Sequence, residues 1–198
     1  SYWSYQFTDN HFHYGYLTVA AAMLGITDHQ FLKDYGPMAS LVARQYANWE
    51  RDHPMLPRLR TFDIWEGHSW AGGLSSGGGN NQESSSEAVQ SWGGLFLLGA
   101  MLGDDEMRDT GAMGWAIETS AMREYWMDIR DENFPEAYAH DVVGILFAWG
   151  PAFATYFSGD PAWIFGIQWL PISPLLEHLL IDEGVAESQY AAMQAERL

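Results

Sequence analysis

The stretch Ala88-Val-Gln-Ser-Trp-Gly-Gly-Leu-Phe-Leu-Leu-Gly-Ala-Met-Leu102, followed by Gly103-Asp104 and then by Met107 to Trp126, decides the fold. Its first half is apolar almost throughout. Gly103 is a C-terminal stop, Asp104 is an N-cap, and an amphipathic segment follows. The unit is therefore a helical hairpin. Working outward, the same unit recurs upstream. Tyr16 to Leu24 is apolar, Gly25 is a stop, and Thr27 or Asp28 caps a helix whose stripe runs through Phe31, Leu32, Tyr35, Met38, Leu41, Val42, Gln45, Tyr46 and Trp49, with a bend expected at Gly36-Pro37. Downstream, Val142 to Phe157 and Gly159-Asp160 begin a third copy, which Pro161 and the aromatic run Trp163 to Trp169 interrupt. Helices are expected near 16–24, 28–50, 85–102, 105–127 and 142–157. The fold class is all-α, and a series of such hairpins builds an α/α toroid. β signals are weak and confined to loops.

Composition narrows the function. With 47% apolar and 15% aromatic residues the chain is globular and carries enough apolar surface for one sizeable core. It has no cysteine, which excludes a disulfide scaffold, a thiol nucleophile and thiolate metal ligands. The formal charge is −17, from 26 acids against 9 bases, and Lys33 is the single lysine. Binding nucleic acid or an anionic membrane surface needs clustered cations, so neither is an expected partner. A neutral substrate fits an acidic surface best. The longest apolar run, 142–157, is broken by Gly150-Pro151 and is too short to span a bilayer. No signal peptide is visible, and the chain opens on Ser1, as a processed or trimmed product would.

Chemistry concentrates in three segments. Asn80-Asn-Gln-Glu-Ser-Ser-Ser-Glu87 sets two carboxylates four residues apart, ahead of an apolar helix. Like charges at that spacing cost roughly 0.2–0.5 kcal/mol on one helix face. A capping box with Ser84 at the N-cap and Glu87 at the third helical position accounts for Glu87. It leaves Glu83, in the last loop position, unexplained. Asp9-Asn-His-Phe-His-Tyr-Gly-Tyr16 packs an acid, two histidines and three aromatics together, again before an apolar helix. Asp9 can be read either as a helix-entry residue or as a reacting acid. The third segment, Phe62-Asp-Ile-Trp-Glu-Gly-His-Ser-Trp-Ala71, lies in a loop from Asp52 to Gln82, far longer than the usual ~4–6 residues. Loops of that length are functional or disordered, and Trp65, His68 and Trp70 favour function. Its glycine-rich part, Gly72 to Gly79, is expected to be mobile and to let backbone approach a ligand.

These segments resemble glycoside hydrolase family 81, the endo-β-1,3-glucanases, whose D-x-H-F-H-Y-G-Y, G-H-S-W-A and N-N-Q-E-S-S-S-E-A motifs occur here in the same order, between about Asp9 and Pro171. The resemblance implies a partial (α/α)6 toroid over 1–198, with about three of six hairpins, and with the family's N-terminal β-sandwich region and remaining hairpins outside this sequence. It implies endo-hydrolysis of β-1,3-glucan at an extracellular location. It also implies an inverting mechanism, in which one carboxylic acid protonates the leaving oxygen and a carboxylate ~6.5–9.5 Å away activates water. Asp9 matches the family's general acid, Glu83 its general base, and Glu87 a neighbouring acid able to raise a pKa by like-charge repulsion. Asp9 and Glu83 both precede first helices of hairpins, and in a toroid such loops share one rim.

Around that pair, His11, His13, Tyr14, Asp63, Trp65, His68 and Trp70 are expected to bind substrate. One of the two histidines orients a carboxylate or a sugar hydroxyl while the other packs. Trp3, Tyr14, Trp65, Trp70, Trp92 and Trp169 are candidate sugar platforms, although a helical aromatic is commonly core, and Trp65 is the one expected to be most exposed. His-x-His invites a metal, but spacing fixes no third ligand, so no metal or cofactor is expected. A non-catalytic glucan-binding piece is the alternative function, and another toroidal glycosidase or lyase is a further one. An incomplete ring leaves apolar faces on the 28–50 helix and after Pro174 without covering neighbours, and association through that face is expected.

Overall fold

The structure is a computed structural model that describes residues 4–74 and 79–197. Two helical hairpins form its body: α1 (Asn10–Thr27) with α2 (His29–Ala47), and α3 (Ser85–Leu102) with α4 (Asp105–Tyr125). Local chemistry sets their ends. Ser84 Oγ accepts from the Glu87 amide, Asp104 from the Met107 amide, and Asp28 from the amides of Gln30 and Phe31. Gly103 takes the left-handed conformation at φ 70° that closes α3. Gly25 does not end its helix. It is buried against Leu32, and α1 continues to Thr27. α2 likewise runs through Pro37 as one helix from His29 to Ala47.

The hairpins pack closely because small residues line their contacts. A Cβ on Gly15 of α1 would lie 2.6 Å from Ser91 Cβ of α3, and one on Gly111 of α4 would lie 2.3 Å from the Phe96 amide nitrogen of α3. Between the helices Tyr46, Trp92, Leu95, Leu98 and Met107 are fully buried. A second core joins Val89, Met122, Trp126 and Val143 to Leu176 and Leu179. These last two lie in a run of 3-10 turns, Pro174–Leu180, that is kinked at Leu176.

The expected helix over 142–157 is absent. In its place β4 (Ile145–Phe147) and β5 (Gly150–Ala152) form a hairpin, and β4 pairs antiparallel with β3 (Asn81–Gln82). Gly150 has φ 146°, outside helical range, and Pro151 donates no hydrogen bond, so the run cannot continue as a helix. A Cβ at Gly144 would meet the Ala154 carbonyl oxygen at 2.1 Å, a backbone approach that only this fold-back makes. Helix resumes as the short α5 (Pro161–Gly166), capped by Asp160, and α6 (Val185–Glu196) closes the described chain. Among its described residues the 52–82 loop holds only β1 (Phe62–Asp63), its partner β2 (His68–Ser69), and β3. Of its glycine-rich part, 75–78 lie outside the described residues.

Apolar side chains stay exposed on α1 at Leu17 and Leu24, on α2 at Tyr35, Met38 and Leu41, and beyond Pro174 at Leu180 and Ile181. No described helix is long and apolar enough to cross a membrane.

Candidate active site

Asp9 occupies the N-cap position of α1, yet its carboxylate makes no capping bond. Its backbone is left-handed, φ 56°, a conformation costing about 1–2 kcal/mol for a residue with a Cβ. The Asp9 amide donates to the Ala71 carbonyl at 3.0 Å, and the Leu74 amide donates to the Gln6 carbonyl at 2.8 Å. The middle loop therefore holds the backbone that carries this acid. Gly73 is needed there, since a Cβ would sit 1.9 Å from the Gln6 oxygen. Burial, then the charges of Glu83 and Glu87, push the Asp9 carboxyl up to about 7.

Glu83 follows β3 directly, and its Oε1 accepts the Tyr156 amide at 2.9 Å. Burial raises its pKa, the Tyr156 amide opposes that, and the charge of Glu87 adds to it. Gln168 fixes the local backbone, donating to the carbonyls of Glu83 and Gly144, both at 3.0 Å. Its Oε1 accepts from the Ser85 amide and hydroxyl at 3.1 and 2.6 Å. Glu87, in the first turn of α3, lies against Tyr16, whose hydroxyl is raised by burial and by that carboxylate. Asp9, Glu83 and Glu87 thus share one electrostatic site, in which the charges of Glu83 and Glu87 disfavour ionisation of Asp9 and that of Glu87 disfavours ionisation of Glu83.

The wall beside it comes from β1 and β2. Asp63 closes a turn by accepting the amides of Trp65 and Glu66, and its other oxygen accepts Trp70 Nε1 at 3.2 Å. Slight burial raises its pKa, but these donors prevail and hold it below the ordinary value. A cleft of about 350 Å³ is lined by Arg60, Asp63, Ile64, Trp70, Gly72 and Asn80. Trp65 projects from the turn, 91% exposed.

Several expected substrate contacts lie elsewhere. His11 is fully buried, and its Nε2 pairs with Gln82 Oε1 at 3.1 Å. His68 is buried among Trp70, Tyr125 and Trp126, with Nδ1 on the Ser69 carbonyl. Neither reaches a surface ligand. His13 is half-buried, contacts Ser4 Oγ at 2.8 Å, and has its pKa lowered by burial against the raising charge of Glu87. Both histidines lie within α1, where residues two apart do not share a face, so His-x-His cannot converge on an ion. Among the described residues no group of three His, Cys, Asp or Glu could hold a metal. Trp92 is core, while Tyr14 and Trp169 pack partly buried against the two cores. Trp3 lies outside the described residues.

Three residues of this site escaped sequence reasoning. Tyr156 sits in the stretch mistaken for a helix, and its hydroxyl is raised by burial, then by Glu83 and Asp9. Gln168 is a lone amide in an aromatic run, a pattern that could have marked it as a buried bridge. Glu118 is a lone acid among apolar neighbours on α4. It accepts the Ser69 amide, the Ser69 hydroxyl and Trp92 Nε1 at 2.9, 2.7 and 2.6 Å, and so anchors the middle loop to the hairpins.

Residues 2–197 match the model of the glycosyl hydrolase family 81 C-terminal domain. The chain is 40% identical over 173 residues to the glucan endo-1,3-beta-D-glucosidase of Thermobifida fusca, covering 85% of this chain and 23% of that one. To the enzyme of the same name from Acetivibrio thermocellus it is 34% identical over 196 residues, covering 96% and 25%. A glycoside hydrolase family 81 structure from Clostridium thermocellum, solved as a glutamate-to-alanine mutant, superposes with a TM-score of 0.91 at 35% identity, over 96% of this chain and 27% of that one. The chain thus spans about a quarter of the length of these relatives.

Proposed function

We propose, for a chain that belongs to glycoside hydrolase family 81, that it supplies the acid and base of an endo-β-1,3-glucanase that inverts the anomeric centre. Asp9 protonates the glycosidic oxygen, and Glu83 deprotonates the attacking water. The observation carrying this reading is the state of Asp9. It sits at a cap position without capping, and its surroundings push it to about 7. A carboxyl held protonated near neutrality is what a general acid requires. Glu83 is oriented by the Tyr156 amide, which stabilises its charged form, the form a base needs. Glu87 keeps the Asp9 proton in place by its charge.

Asp63 and Trp70 form the substrate wall, and Trp65 offers an exposed ring face to a pyranose. In this reading 1–198 is part of an (α/α)6 domain whose other hairpins cover the apolar faces of α1 and α2. The polymer substrate places the enzyme outside the cell. The test is laminarin turnover by the full-length protein carrying Asp9→Asn or Glu83→Gln. Each change is expected to lower kcat by ~10²–10⁴-fold with glucan binding retained. Full activity of Glu83→Gln would move the base to Glu87. Wild-type protein that binds laminarin and never cleaves it would make this chain a glucan-binding module.

A further inference from the structure

The sheet beside Glu83 carries an aromatic surface that the proposed chemistry does not use. In the β3–β4 ladder Gln82 faces Leu146 and Asn81 faces Phe147. Opposed residues of an antiparallel pair share one face of the sheet, and the faces alternate along each strand. Gln82 is fully buried and Leu146 packs against the second core, so their face is the inward one. Asn81 and Phe147 therefore face outward. Glu83, two positions past Asn81 and just beyond the strand, has the same parity as Asn81.

On the outward face the Phe147 ring stacks on Trp149, with centroids 4.8 Å apart and planes inclined by only 10°. Trp149 is 69% exposed. The Ala148 amide donates to the Asn80 carbonyl at 2.9 Å, which ties the segment carrying both rings to the strand leading into Glu83. Phe147 covers one face of the indole and leaves the other open to water. Another aromatic pair, Phe157 and Trp163, is perpendicular at 78° and presents edges instead of a backed plane.

A flat, backed and open indole in register with a hydrolytic carboxylate suits one class of ligand. The faces of a β-linked glucopyranose are rows of C–H groups, and such a face lies on a ring of this kind and removes its apolar area from water. We infer that the Phe147–Trp149 stack is a sugar-binding platform, holding a glucan residue to one side of the bond placed between Asp9 and Glu83. At ~3.3 Å per strand residue, the two positions from Asn81 to Glu83 put Phe147 roughly 7 Å along the strand from the base, and Trp149, in the turn that follows β4, lies farther still, beside the reacting bond and not upon it. The inference rests on the proposed function and adds a subsite to it.

The test uses the full-length protein and linear β-1,3-gluco-oligosaccharides of about three to eight units, together with laminarin. Trp149→Ala is expected to raise KM by about tenfold on the oligosaccharides long enough to span platform and reacting bond. On the shortest cleaved substrate kcat/KM should stay within twofold of wild type. Trp149→Phe should restore most of the loss, because it keeps a ring without the indole's full area. Equal kinetics at every length would overturn the platform, as would a uniform loss at every length accompanied by a lowered Tm. Wild-type protein inert on every glucan would instead overturn the functional reading, and the platform with it.

Discussion

His11 Nε2 lies 3.1 Å from Gln82 Oε1, and both side chains are fully buried. This one bond joins the first turn of α1, two residues from Asp9, to β3, one residue from Glu83. Burial pushes the imidazole down to about 3, so the brace does not titrate near neutrality. The relative position of the two carboxylates is thus set partly by a pair of buried side chains.

Loosening that brace should impair the reaction more than binding. Gln82→Leu is expected to lower kcat by ~10²-fold, since misplacement of reacting groups by about 1 Å costs that much, while KM changes only a few-fold. The orphaned His11 nitrogen should also cost roughly 1–3 kcal/mol of stability. Steady-state kinetics and urea unfolding on the same sample check both effects. A change in KM alone would assign Gln82 to substrate binding.

The pH profile follows from the signs of the shifts. In the proposed mechanism activity needs Asp9 protonated and Glu83 ionised. The alkaline limb of kcat/KM should therefore fall at about 7, as Asp9 loses its proton. The acidic limb should lie above the ordinary glutamate range, because Glu83 is raised. Glu87→Gln removes a charge that raises both groups, so both limbs should move to lower pH. An alkaline limb that stays in place would mean that Asp9 is not the group titrating there.

Stability carries its own pH signature. Burial lifts Glu118 from 4.5 to about 7, against the opposing bonds from Ser69 and Trp92. An acid raised in the folded state binds its proton more tightly there than in the unfolded chain. Its contribution is complete below the unfolded value and is lost as pH rises through about 7. Asp9 acts with the same sign. Thermal unfolding should show Tm falling between about pH 5 and 7, and less steeply in Glu118→Gln. Glu118→Ala, which leaves three buried donors without their acceptor, should cost about 3 kcal/mol.

Helix contact is equally specific. Gly15→Ala places a methyl 2.6 Å from Ser91 Cβ and must push α1 from α3. A loss of about 1–3 kcal/mol in denaturant unfolding is expected. Gly103→Ala loses less, because nothing lies within 4 Å and only the left-handed φ is strained.

What was legible in the sequence was local. Gly103, Asp104 and Ser84 fix the α3–α4 hairpin through bonds spanning only a few residues, although of the expected capping box only the Ser84 half forms among the described residues, with Glu87 lying against Tyr16 instead. The 142–157 segment reads as a helix because its partner, β3, lies more than 60 positions earlier. A short apolar run fits a buried helix and a strand equally well until that partner is known. The same holds at the site. The acids announce themselves by type and spacing, whereas the burial of His11 and His68 depends on which helices close over them. Tyr156 and Gln168 join Glu83 only through that long-range fold-back.

Asp9 and Glu83 are proposed as an inverting pair. Proton NMR of the reducing end released from a β-1,3-gluco-oligosaccharide, recorded before mutarotation, tests it most directly. Inversion releases the α-anomer first, which then decays towards the equilibrium mixture. First appearance of the β-anomer would contradict it, because retention requires a nucleophilic carboxylate ~5–5.5 Å from the acid and no water between them.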